Sequence, residues 1–176
     1  MSQDTSDHHG VIRNAVDLFL LKATNPALYT RTVGPWEDLV KTPTWRTAKV
    51  LMGTDSDLVL SVLQQLDASH KGAFNRKVRM CLGMVLRERG DYSGAIKAFN
   101  SVIAHDSQAF EALYNLALCQ IALNEMEKAK SSLDSVLDLR PDDERALEAI
   151  KKHFPDVYQS IRPVTDEDGT RAPAQL

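Results

Sequence analysis

Apolar residues return every three or four positions along most of this chain, and turn-forming residues interrupt them at regular intervals. Over residues 76–89 the positions Met80, Leu82, Val85 and Leu86 recur at helical spacing. Gly90-Asp91 stops that helix, since glycine accepts the left-handed conformation that closes a helix and aspartate caps the next one. A second helix follows, with Tyr92, Ala95, Ile96, Phe99 and Val102 on one side. Leu116, Ala117, Ala129, Leu133 and Val136 predict another helix pair, with Asn124 at its turn and Pro141 at its end. From Glu144 a last helix carries Leu147, Ile150 and Phe154 inward and turns Arg145, Lys151 and Lys152 away, until Pro155 ends it.

Upstream the pattern is weaker. Trp45, Ala48 and Leu51 make one apolar face. Thr54 and Asp57 then form a capping box ahead of Leu58, Val59, Val62, Leu63 and Leu66, so residues 44–69 read as a degenerate helical hairpin. Near the start Val11, Ile12, Ala15, Val16, Phe19 and Leu20 form an amphipathic stripe, thickened by Leu18 and Leu21 and stopped at Asn25-Pro26. The stretch containing Gly34-Pro35-Trp36 reads as an ordered connector anchored by Trp36, and residues 161–176 as a solvated tail.

The repeating helix pair has a fixed register. Leu82, Gly83, Ala95 and Val102 fall on Leu116, Ala117, Ala129 and Val136, each 34 residues later. This spacing, with Leu82-Gly83, Gly90, Tyr92, Ala95 and Phe99 in one copy and Leu116-Ala117, Ala129, Leu133 and Pro141 in the other, resembles the tetratricopeptide repeat family. Small residues at Gly83 and Ala95 let two helices approach while Leu82 and Phe99 fill the space around them. Trp45 lies one period before Arg79, where the repeat often carries a tryptophan, but Lys49 and Gln65 stand at its small and aromatic positions.

The resemblance implies an all-α fold, a right-handed superhelical solenoid of antiparallel helix pairs with an N-terminal helix and a C-terminal capping helix. The expected divisions are 1–43 for the tail, amphipathic helix and connector, and 44–75 for the degenerate hairpin. Two repeats occupy 76–109 and 110–143, the capping helix 144–158 and a flexible tail 159–176. The inward positions of the family's first helices fall on Lys77, Met80, Met84 and Arg87 in one repeat and on Glu111, Tyr114, Asn115, Leu118 and Ile121 in the next. With Arg145 they form the expected peptide-binding groove, an apolar strip with basic edges that would favour a ligand with acidic flanks.

What the resemblance implies of function is a non-catalytic protein-interaction scaffold that binds a peptide or helical segment, as an adaptor, assembly factor or chaperone-like subunit. The alternative is a structural subunit of a homo-oligomer or of a larger trafficking or secretion complex, its groove filled by its own N-terminal helix. The co-chaperone clamp for the acidic tails of heat-shock chaperones is incomplete. Asn115 matches its middle asparagine and Arg145 one basic residue, while Met80, Met84 and Ala149 replace the others.

Composition narrows the function further. The 176 residues are 43% hydrophobic and 26% charged, ordinary values for a globular chain, and the net charge of −3 supplies no basic field for nucleic acid. No apolar run approaches the ~20 residues that span a bilayer, so no membrane insertion is expected. The polar, acidic start Met1-Ser2-Gln3-Asp4 argues against a targeting segment and makes the cytoplasm the expected location. Cys81 and Cys119 read as buried packing residues, without the spacing of a disulfide or zinc site. His8, His9, His70, His105 and His153 are scattered and tied to no nucleophile, and there is no phosphate or dinucleotide loop. Asp166 to Gly169 lacks the later ligands of a calcium loop. The expectation is therefore no catalytic residue, no metal and no cofactor.

Overall fold

Helix is the only regular structure among the described residues of the computed structural model, 23–69 and 71–161. The amphipathic stripe at 11–21, His8, His9, His70 and the tail beyond Ile161 lie outside them. The helices are α1 (Pro26–Thr32), α2 (Gly34–Lys41), α3 (Trp45–Ser69), α4 (Ala73–Glu88), α5 (Tyr92–Ile103), α6 (Phe110–Ala122), α7 (Met126–Leu139), α8 (Glu144–His153) and α9 (Pro155–Ile161). The chain divides into two compact units, Met1–Val85 and Leu86–Leu176, with the boundary inside α4. None of the described helices is long and apolar enough to cross a membrane.

In the first unit the expected connector is helical. Asn25 accepts a hydrogen bond from the Leu28 amide at 3.1 Å, so Asn25-Pro26, read as a stop, also opens α1. Gly34-Pro35 opens α2 in the same way, because proline at the first helical positions gives up an amide that has no intrahelical acceptor. The anchor of this segment is Leu39, fully buried, whereas Trp36 is only half-buried. The break in α3 also differs from the expected capping box. Asp55 leaves helical geometry at φ −152° and ψ 94°, and its carboxylate accepts the Leu58 amide at 2.9 Å. Asp55 is thus the cap, one residue after Thr54. Beyond the break Val59, Leu63 and Leu66 are buried. Asp67 ties α3 to α4, accepting from the buried Asn75 amide at 2.8 Å and from Arg79 Nε at 2.7 Å.

The second unit repeats itself. α7 begins 34 residues after α5, and α8 begins 34 residues after α6. The turns agree with the sequence reading, since Gly90 (φ 81°) and Asn124 (φ 58°) occupy the same left-handed place one period apart. Asp91 caps α5 by accepting the Gly94 amide at 2.8 Å. A Cβ at residue 94 would collide with that carboxylate, which is why glycine stands there.

The second unit's interior is built from α5 outward. Phe99 and Ala95 are fully buried on α5, and α6 packs against both α5 and α7. A continuous cluster then joins Leu113, Ala117, Leu133, Val136, Ala146, Ala149 and Ile150 across α6, α7 and α8. The buried polar pair between α6 and α7 is satisfied, Ser132 Oγ donating to Gln120 Oε1 at 2.8 Å. Burial pushes the Cys119 thiol up to about 11, and Cys81 in the first unit up to about 12, so both remain protonated at neutral pH.

The C-terminal element departs from the single capping helix over 144–158. α8 ends at His153, where the Phe154 amide donates to Ile150 O at 2.7 Å. Pro155 then starts α9, which extends to Ile161, beyond the expected start of the tail at 159. A proline stops a helix that reaches it and suits the first turn of another, so the one residue does both. Phe154, Val157 and Tyr158 pack on the cluster beneath.

Candidate functional site

α8 repeats α6 at the 34-residue interval, so residues of equal register stand beside each other on the two helices. Glu111 and Arg145 are such a pair. The Arg145 guanidinium donates to both Glu111 carboxylate oxygens, at 3.0 and 3.1 Å, and also to Asp143 Oδ2 at 3.0 Å. Its Cζ lies 4.9 Å from the centre of the Tyr114 ring. The hydrogen bonds that Arg145 donates, first to Glu111 and then to Asp143, raise its pKa further and favour the charged form.

Between these helices lies an open recess of about 680 Å³. Tyr114, Leu118 and Ala149 supply its apolar lining, and Glu144, Arg145, Glu148, Lys152 and His153 its polar lining. On α8 the positions 145, 148, 149 and 152 share one face at the three- and four-residue helical spacing. Arg145 and Lys152 therefore border the recess, Arg145 as the groove reading expected and Lys152 against the expectation that it faces away.

The structure divides the expected groove residues. Tyr114, Leu118 and Arg145 come together at the recess, with Glu111 behind Arg145. Asn115 is corrected. It is 3% exposed, donates to Glu111 O at 2.7 Å and accepts from Arg87, so its amide is committed inside the protein. Neither Arg87 nor Ile121 lines the recess. Lys77, Met80 and Met84 belong to the first unit, Lys77 exposed and both methionines half-buried on α4. The expected basic edge also changes, since Arg145 is neutralised by Glu111 and Asp143.

Glu144, Glu148, Lys152 and His153 were not read as site residues. Two of them carried a usable signal: the 34-residue shift that aligns the repeats takes Tyr114 to Glu148 and Leu118 to Lys152. Among the described residues no group of three or more histidines, cysteines or carboxylates could hold a metal ion.

Asp143 fixes the start of α8. Its side chain accepts from the Arg145 and Ala146 amides, each at 3.2 Å, and the Arg145 guanidinium is the main cause that holds its carboxyl below the ordinary range. Asp143→Ala should cost about 1 kcal/mol, the typical loss of such a cap. Because the folded-state value is depressed, this contribution is present at neutral pH and is lost as pH falls below the usual carboxylate value through the folded one. Thermal melts of wild type and variant should therefore differ at pH 7 and converge in strong acid.

Residues 86–152 match the family model described as Tetratricopeptide repeat, so the resemblance drawn from the sequence is shown over that stretch. A crystal structure of MamA shares 18% identity, with 92% of this chain and 88% of that chain covered and a TM-score of 0.57. A second structure, of MamA AMB-1, shares 16% identity, with 85% and 88% covered and a TM-score of 0.58. At these identities the likeness is one of fold. No curated protein matches the chain.

Proposed function

We propose that this chain is a non-catalytic protein-interaction scaffold, an adaptor or assembly subunit, and that the recess between α6 and α8 receives an apolar side chain from a partner segment. The observation that carries the reading is the set of apolar surfaces, Tyr114, Leu118 and Ala149, that line one recess beside the charged residues of α8. Tetratricopeptide repeats over 86–152 support a binding role. Apolar area that is half accessible can be removed from water by a partner at ~25 cal/mol per Å², whereas a core residue has none left to offer. Leu118 is such a half-buried residue, while its neighbour Cys119 is fully covered. An acidic chaperone tail fits poorly, because the asparagine that would grip it is the internally bonded Asn115.

The test is Leu118→Asp compared with Lys97→Glu, a change at an exposed site outside the recess. Partners recovered by wild type in a quantitative pulldown should be depleted about tenfold or more with Leu118→Asp, in the range of an interface hot spot. They should be retained with Lys97→Glu, and both variants should keep the wild-type helical signal. Equal recovery by both variants would place the binding surface elsewhere.

A further inference from the structure

The recess has a charge pattern opposite to the one expected from the sequence, and it points to the chemistry of the bound segment. Arg145, the basic residue on the α6-facing side of α8, is held by Glu111 at 3.0 Å and by Asp143 at 3.0 Å. Its positive charge is thereby balanced at the protein's own surface. Glu144 and Glu148, by contrast, are exposed, line the recess, and form no ion pair among the described residues. Lys152 also lines the recess and forms no ion pair among the described residues. Counting Glu111 and Asp143 behind Arg145, carboxylates outnumber cations around an apolar centre of Tyr114, Leu118 and Ala149.

Resting on the binding role of this recess, we propose that its occupant is a peptide segment in which an apolar side chain is flanked by lysine or arginine. The apolar residue lies against Tyr114 and Leu118. The flanking cation reaches Glu144 and Glu148, which share one face of α8 at four-residue spacing. An acidic segment would meet these two carboxylates, while the Arg145 guanidinium is already engaged by Glu111 and Asp143. Like charges juxtaposed at an interface exclude wrong partners more effectively than rim pairs add affinity, so the effect is on selectivity.

The experiment uses the full chain and two labelled ten-residue peptides, identical except that a central leucine is flanked by two arginines in one and two glutamates in the other. Fluorescence anisotropy at low salt should show the arginine peptide binding about five- to tenfold more tightly, with the difference shrinking as salt screens the rim. Glu144→Lys with Glu148→Lys should abolish or invert the preference, and Lys152→Glu should enlarge it. Equal binding, or preference for the glutamate peptide, overturns the inference. If Leu118→Asp then weakens both peptides, the recess itself stands as the binding site and only its charge selectivity is refuted. If Leu118→Asp leaves both unchanged, or neither peptide binds wild type up to millimolar concentration, the proposed role of the recess fails with it.

Discussion

Phe99→Ala should be the most damaging single truncation in the second unit, at about 3–5 kcal/mol, the cost of removing a buried aromatic ring and leaving a cavity. Phe99 heads the residues of largest volume that are fully buried, and the other buried residues of α5, Ala95, Ala98 and Val102, are all smaller than the ring. With a chain of 176 residues this loss corresponds to a melting point lower by roughly 10 °C. Phe99→Leu keeps most of the volume and should cost less than half as much. A melt of Phe99→Ala within about 2 °C of wild type would show that α5 is not packed as described, because no repacking of small neighbours replaces a phenyl ring at that cost.

The helices of the second unit were legible because two independent signals coincide there. Helical periodicity marks α5 to α8, and the 34-residue interval predicts that Met126 starts a helix because Tyr92 does. Gly90 and Asn124 could be placed in left-handed turns for the same reason. Where only one signal exists, local chemistry permits more than one answer. Pro155 reads as a stop, yet its fixed φ also suits the first turn of α9. Thr54 and Asp57 have the spacing of a capping box, yet Asp55 between them turns out of the helix and takes the Leu58 amide.

Part of the candidate recess was legible in the repeat register, and its charge was not. Tyr114, Leu118 and Arg145 follow from the repeat register, and the recess brings them together. The state of Arg145 depends on Glu111, 34 residues away, and on Asp143, two residues away, and a sequence pattern does not say which of several nearby carboxylates a guanidinium will meet. Asn115 shows the same limit from the other side. An asparagine on an inward helix face is equally suited to grip a ligand or to close its own helix, and here its amide donates to Glu111 O.

Ending the chain at Arg140 should unfold the second unit or make it insoluble, a larger effect than any point substitution. That cut removes Ala146, Ala149 and Ile150 from a cluster that they complete with Leu113, Ala117, Leu133 and Val136, and it also removes Phe154, Val157 and Tyr158 from its edge. Each large apolar side chain newly exposed or lost forfeits about 1.5–3 kcal/mol, and several together equal the 5–15 kcal/mol that holds a typical domain folded. Solenoid repeats depend on neighbours for stability, so the cost falls on α6 and α7 as well as on the deleted helices. Ending the chain at Ile161 instead retains every member of the cluster and should shift the melting point by no more than about 2 °C. A soluble, cooperatively melting chain that ends at Arg140 would show that α8 and α9 decorate the repeats without completing their core. The recess that α8 shares with α6 would then be a surface feature, removable without consequence for the fold.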